Sequence, residues 1–246
     1  MDIQINYDYR KDELEKLPLH ELAQFVLARE DKPFNTEVSV SFVTDEAIAE
    51  RRAEILRHTA DVIVASGVGG CTFAAVSEAS GHSIGQLQHH FRTRDRLIHG
   101  CIEHRMAEAQ DEWRAIAERD AAPLARLAAL LDYTVDGEKA FDDAWGFWIE
   151  VMTAARHDTE VRAKLNERLA LWQEFFVEVL TDVRPDVPAA GDYSAADLAS
   201  LLVGLADGLA VQAVNGTYGM TPDRMRGLLH EFAATTLGVD LREVAR

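Results

Sequence analysis

From residue 45 to near the C-terminus, apolar residues recur at intervals of three and four, which is the spacing of one face of an α-helix. In the first such segment, Ile55, Val62 and Ile63 fall near one face, and Gly67 follows as a helix stop. The predicted helices of the C-terminal half span 121–136, 138–156, 159–183, 195–215 and 221–237. This pattern predicts an all-α fold.

Two short helices are predicted between the first segment and a much longer helix. Thr72 is the predicted N-cap of a helix that ends at Gly81, and Ser83 is the predicted N-cap of the next one. Thr93 then caps a long helix that extends to about Arg119. Two short helices joined by a glycine-containing turn, after a longer helix, are typical of a helix-turn-helix.

The first 44 residues follow a different pattern. The segments DIQINYDY and TEVSVSFV alternate apolar and polar residues as strands do, and DELEKLPLHELAQFVLARE between them has helical spacing. The sequence therefore predicts a strand–helix–strand leader at 1–44, a three-helix domain with the helix-turn-helix at 45–100, and a helical domain at 101–246.

The acidic balance of the chain is unevenly distributed. The formal net charge is −17, yet residues 45–100 carry seven acidic and six basic residues. This nearly neutral segment permits contact with nucleic acid on an otherwise acidic protein. The two cysteines imply no disulfide framework, and no apolar run approaches the roughly 18 residues of a membrane span. We expect a cytoplasmic protein that makes no membrane contact.

The second short helix carries the residues best suited to touch DNA. Leu87 and Phe91, four residues apart, can anchor this helix in a small core. The residues that this arrangement turns outward are Ile84, Gly85, Gln86, Gln88 and His89. In the major groove, glutamine can pair with adenine and isoleucine can touch a thymine methyl group. Glycine at the second position lets the backbone approach closely.

The segment TFAAVSEASGHSIGQLQHHFRTRDRL resembles the DNA-binding segment of the tetracycline-repressor (TetR) family of transcriptional regulators. The positions that agree in spacing are Thr72, Gly81, Ser83, Gly85, Leu87, His90, Phe91, Arg94 and Leu97. The resemblance covers about residues 48–100; the family usually has an aromatic residue where this chain has Gln88. FWIEVMTAARHDTEVRAKLNERLALW and LLVGLADGLAVQAV are similar to the subgroup that includes the choline-responsive repressor.

The resemblance implies a ligand-responsive repressor, not an enzyme. Such a protein binds a palindromic operator in double-stranded DNA as a homodimer and leaves it when a small-molecule effector binds. The implied base contacts are Ile84, Gly85, Gln86 and Gln88, and Ser83 begins their helix. The implied phosphate contacts are Thr72, His89, His90 and Arg94. The last two long helices would pair across a twofold axis through Leu201, Leu202, Leu205, Leu209, Leu228, Leu229 and Phe232.

Aromatic and acidic residues of the C-terminal domain are candidates for the effector site. They are Trp113, Trp145, Trp148, Glu150, Trp172 and Asp207. An aromatic and acidic lining suits a cationic or aromatic effector, because each cation–π contact contributes about 0.5–2 kcal/mol. Core packing is the alternative role for the tryptophans, and solvent exposure for the carboxylates.

Two other functions are compatible with parts of the sequence. EVSVSFVTDEAIAE, with the strand and helix before it, resembles the start of the bacterial rRNA-maturation metalloendoribonuclease family, but its HxxxHxxxxxH zinc triad is absent. A fusion protein related to that zinc enzyme is one alternative, and a helical interaction module that binds no DNA is the other. Adjacent residues on a helix point about 100° apart, so His89 and His90 predict no metal site. No cofactor is predicted.

Overall fold

A computed structural model describes residues 45–119, 122–137, 139–183, 193–239 and 241. The chain forms two compact units, Met1–Glu54 and Ile55–Arg246. The described residues of the first unit, 45–54, are all helical. The predicted strand–helix–strand leader lies outside the described residues.

The described residues form nine α-helices and one 3-10 turn, with no strand among them. The helices are α1 (Asp45–Gly70), α2 (Phe73–Ser80), α3 (Ile84–Phe91), α4 (Arg94–Arg119), α5 (Pro123–Asp136), α6 (Phe141–Ala155), α7 (Thr159–Val183), α8 (Ala195–Val214) and α9 (Pro222–Leu237). The all-α prediction is confirmed. Helix α7 has the predicted limits, and α6 differs most, because it begins three residues later than predicted.

Short-range hydrogen bonds explain where α2 and α3 begin and end. The Thr72 hydroxyl accepts a hydrogen bond from the Ala75 amide at 3.1 Å and so caps α2. Gly81 ends α2 with φ 74°, a left-handed conformation that costs glycine nothing. Ser83 and Gln86 form a reciprocal capping box at the start of α3. The helix-turn-helix therefore follows from local chemistry.

Helix α4 connects two hydrophobic clusters of the second unit. The head cluster joins the buried residues of α1, α2, α3 and the first half of α4 to part of α6 and α7, and includes Ile55, Leu97 and Phe147. The body cluster joins the second half of α4 to α5, α7, α8 and α9, and includes Trp113 and Phe176. Because α4 has 26 residues, it is about 39 Å long. One continuous helix thus runs from the helix-turn-helix into the body cluster.

Helix α8 is apolar on two faces. By length and composition it could cross a membrane, which is true of no other helix that the structure describes. Asp207 interrupts the apolar run of α8, so the sequence pattern alone did not indicate such a segment. One face packs into the body cluster through Leu198, Ala199, Leu202, Ala206, Leu209 and Ala210. The opposite face exposes Leu201 and Val211, each at 42%.

Part of the predicted twofold interface lies inside the chain's own core. Leu202, Leu209 and Leu229 are buried in the body cluster, so these three side chains are already packed without a second copy. Leu201 and Leu228 are exposed. The helix spacing alone did not distinguish the two apolar faces, because both carry leucines.

Candidate nucleic-acid interface and ligand cavity

The first turn of α3 and the residues around it form an accessible surface. Of the residues predicted to contact DNA, six are exposed: Thr72, Ser83, Ile84, Gly85, Gln88 and His89. Leu87 and Phe91 are buried in the head cluster, as predicted, and anchor α3 there. A Cβ atom at Gly85 would meet only the Ser83 hydroxyl, at 4.0 Å. A base or a phosphate can therefore approach the backbone of α3 closely at this point.

The side chain of Gln86 is half-buried and takes part in the helix cap. Its amide oxygen accepts hydrogen bonds from the Ser83 backbone amide at 2.9 Å and from the Ser83 hydroxyl at 3.1 Å. The same oxygen would be the acceptor in a pair with adenine. Contact between Gln86 and a base therefore competes with the cap, a constraint that the sequence pattern did not reveal. His90 is also half-buried.

The Arg94 side chain donates hydrogen bonds to backbone carbonyl groups at the end of α1. Its Nε donates to the Cys71 carbonyl at 2.7 Å, and its Nη2 donates to the Val68 carbonyl and, at 3.4 Å, to that of Gly69. Its Nη1 lies 3.7 Å from an Asp95 carboxylate oxygen. The guanidinium thus ties the start of α4 to the end of α1. Contact with a DNA phosphate remains a prediction for this residue.

Two exposed cations beside α3 were not selected from the sequence. Arg92 ends α3 with φ 63°, an uncommon conformation for a residue other than glycine. Arg96 lies in the first turn of α4, and both side chains are exposed. The sequence FRTRDR contains three arginines, but only Arg94 belongs to the TetR-family pattern.

The described part of the second unit contains a cavity of about 630 Å³ of empty space, including its open mouth. Four of the predicted effector residues line it: Trp145, Trp148, Trp172 and Asp207. Trp113 does not line it and instead packs against Trp172, with ring centroids 4.5 Å apart. Glu150 does not line the cavity either. Its carboxylate lies beside Gly67 of α1, 2.8 Å from the position that a Cβ atom would take there. The indole of Trp145 is fixed by donating to the Thr134 carbonyl at 2.8 Å.

The cavity wall also carries cations that the sequence analysis missed: Arg105, Lys139 and Arg168. The Arg168 guanidinium carbon lies 3.7 Å from the centroid of the Trp148 ring, in a cation–π contact. Burial lowers the pKa of Arg168 to about 10, while Tyr133 and Asp207 act in the opposite direction. Burial likewise raises the pKa of Asp207, although the Arg168 charge opposes this.

Arg105 is buried, with 8% of its surface exposed, and has a carboxylate partner. Its Nη1 lies 3.3 Å from Glu108 Oε2, one helical turn away on α4. Its guanidinium carbon lies 5.6 Å from the centroid of the Phe147 ring, which belongs to the head cluster. The charge of Arg105 is thus largely balanced before any ligand binds.

The described residues offer little for metal or thiol chemistry. They include no cluster of three or more His, Cys, Asp or Glu side chains that could hold a metal ion. Cys71 and Cys101 are buried free thiols. Burial raises the pKa of Cys71 to about 11 and also raises that of Cys101. Both thiols are therefore protonated at neutral pH, a state in which they are weak nucleophiles.

A helix-turn-helix that continues through one helix into a cavity-bearing helical body is the architecture of a one-component DNA-binding regulator. Residues 123–238 match the family model for the C-terminal region of BetI-type transcriptional repressors. The HTH-type transcriptional regulator BetI of Paraburkholderia xenovorans is 26% identical over 162 residues, covering 63% of this chain and 79% of that protein. The HTH-type regulator PksA of Bacillus subtilis is 23% identical, covering 80% and 95%.

Solved structures share the fold. A transcriptional regulator from Saccharomonospora viridis, solved in complex with choline, superposes with a TM-score of 0.69 at 23% identity and covers 75% of this chain and 95% of its own. A TetR-family regulator from Rhodococcus gives 0.66 at 20% identity, covering 77% and 99%. Residues 123–238 therefore match the C-terminal region of BetI-type repressors, and the chain shares its fold with TetR-family transcriptional regulators.

Proposed function

We propose that this protein is a repressor that binds a palindromic operator as a homodimer and releases it when a small molecule occupies the cavity. In this proposal, residues 45–100 contact DNA and residues 101–246 bind the effector and the second copy. Two recognition helices held about 34–36 Å apart would fit successive major grooves. The solved complex of the S. viridis regulator with choline supports a small-molecule site in this fold.

The observation that carries the proposal is the position of Trp148. This side chain lines the cavity and also packs in the head cluster. Next to it on α6, a Cβ atom at Gly146 would lie 3.3 Å from Val64 of α1, so α6 and α1 are in tight contact. A ligand that displaces Trp148 therefore acts directly on the packing of the helix-turn-helix. To change operator occupancy from nearly full to nearly empty, it must discriminate the two states by about 5 kcal/mol.

The exposed face of α8 supports the homodimer. Leu201, Gly204, Gly208 and Val211 follow one another at helical spacing and are all exposed. Within 4 Å, a Cβ atom at either glycine would meet nothing. Leu228 adds an exposed apolar residue on α9. Small residues between apolar ones allow two helix backbones to approach closely.

Selection of bound sequences from a random DNA pool tests the proposed function. We expect a palindromic consensus, with one half-site for each copy of the chain. Titration of that site at two salt concentrations should show affinity falling as salt rises, because phosphate contacts release counterions. If the folded, effector-free protein enriches no sequence, the repressor proposal is wrong and a helical interaction module becomes the better account.

A pair of substitutions at Gln86 separates base contact from helix capping. Gln86→Glu preserves the capping box but removes the amide donor that adenine N7 requires. We expect this variant to melt like the wild type. Its carboxylate repels phosphate on every sequence, so base contact is measured by an additional loss of about 1–3 kcal/mol on the preferred site. Gln86→Ala should show the same loss of preference and, in addition, about 1 kcal/mol of lost stability. Equal losses of affinity on every DNA sequence would count against base contact.

A further inference from the structure

The charges in the cavity wall are opposite to those that a cationic ligand needs. Arg105, Lys139 and Arg168 line the cavity, and Asp207 is the one acidic side chain in its described wall. Glu108 already balances Arg105. Among the described residues, no carboxylate oxygen comes within 4.0 Å of a side-chain nitrogen of Lys139 or Arg168. Two cations against one acid leave about one uncompensated positive charge.

The aromatic side chains of the cavity wall do not form an unoccupied cation-binding cage. A cation-binding cage leaves ring faces free for the ligand, whereas Arg168 already covers the face of Trp148, 3.7 Å from its centroid. A trimethylammonium group would have to displace this guanidinium or lie beside it, and like charges repel strongly in a partly buried site. Arg168 Nε is also buried without a hydrogen-bond partner among the described residues. An acceptor group is therefore what this wall lacks.

We infer that the cavity takes a monoanionic carboxylate ligand with an aromatic or apolar body. The carboxylate would pair with Arg168, whose fork of donors suits two carboxylate oxygens, and with Lys139. The body would lie against Trp145 and Trp172. This inference rests on the proposed function of the cavity as the effector site.

Asp207 limits the ligand to a single negative charge. Its carboxylate shares the cavity with Arg168 and Lys139 and already offsets part of their charge. A dianionic phosphate would exceed the charge that remains, whereas a carboxylate matches it. Burial of Arg168 without an ion pair disfavours its charged form, as its lowered pKa shows, and a bound carboxylate relieves this cost.

A series of three probes with one body and different heads tests the inference. The probes are 4-phenylbutanoate, 4-phenylbutanamide and (3-phenylpropyl)trimethylammonium, titrated into the full-length protein by calorimetry. We expect the carboxylate to bind at least about tenfold more tightly than the amide, since charge-assisted hydrogen bonds are roughly twice as strong as neutral ones. The ammonium should bind more weakly than the amide. Quenching of tryptophan fluorescence gives a second readout, because three tryptophans line the cavity.

Substitutions at Arg168 and Asp207 test whether these side chains cause the preference for the carboxylate probe. Arg168→Gln should abolish the difference between carboxylate and amide, and Asp207→Asn should increase it. Arg114→Gln is the matched control, because Arg114 lies on the exposed surface of α4 and pairs with Asp111 at 2.9 Å; its affinities should match the wild type. If Arg168→Gln fails to fold, the probe series on the wild type and on Asp207→Asn still decides the sign of the ligand charge.

The outcomes separate this inference from the proposed function. Tightest binding of the ammonium, equal binding of the three probes, or binding of none would overturn the carboxylate ligand. A selected operator bound by the same protein preparation would still support the repressor. Conversely, a carboxylate preference that depends on Arg168, in a protein that selects no DNA, would support the cavity ligand and reject the repressor.

Discussion

Replacing Arg94 by alanine is expected to lower the free energy of unfolding by about 2 kcal/mol, because a hydrogen bond from a charged donor contributes about 1.5–3 kcal/mol. The guanidinium donates to the carbonyl groups of Cys71 and Val68. Both groups follow the kink of α1 at Gly67. The Val68 carbonyl also accepts from the Cys71 amide at 3.3 Å, so the guanidinium shares this acceptor and adds a bond to the Cys71 carbonyl. Thermal unfolding followed by circular dichroism measures the loss.

Two further variants distinguish this structural role from contact with a phosphate. Arg94→Lys keeps the charge but lacks the fork of donors, so we expect it to recover only part of the lost stability. Arg96→Ala removes an exposed cation of the same helix and should leave the melting temperature unchanged. If Arg94→Ala melts like the wild type while its salt-dependence slope for DNA falls by about one, the phosphate role is correct and the carbonyl contacts contribute little.

The helix-turn-helix was predictable because its determinants are close together in the sequence. Thr72, Ser83 and Thr93 were predicted as N-caps, and each accepts a hydrogen bond from the backbone amide three residues later. Gly81 was predicted to end α2 and adopts the left-handed conformation that this role requires. Such interactions span three or four residues, so a single sequence contains all that is needed to predict them.

The cavity was predictable only in part, because its residues converge through tertiary packing. Arg105, Lys139 and Arg168 lie on different elements, and no local pattern connects them. Tryptophans and carboxylates can be selected by residue type, which found Trp145, Trp148, Trp172 and Asp207 but also Trp113 and Glu150, which lie outside the wall. The cations were missed because arginine and lysine are usually solvated surface residues. Their convergence in the cavity wall is the basis on which we infer an anionic ligand instead of the expected cationic one.

Placing an arginine at Gly204 is expected to abolish the homodimer and to reduce operator affinity by roughly 10²–10⁴, which is the advantage that two linked binding modules gain over one. Gly204 lies between Leu201 and Gly208 on the exposed face of α8, where a Cβ atom would meet nothing of the same chain within 4 Å. The new side chain is therefore harmless within one copy but would be buried and charged between two. Sedimentation analysis of the variant and titration of the selected operator measure the two effects.

The Gly204→Arg substitution does not weaken helix α8 itself. Replacing glycine by arginine within a helix favours that helix by up to about 1 kcal/mol, so dissociation of Gly204→Arg cannot result from melting of α8. Ala163→Arg, at an exposed position of α7, adds the same charge away from the α8 face and should remain dimeric. A dimeric Gly204→Arg would place the interface on another surface, and the apolar face of α8 would then require a different partner.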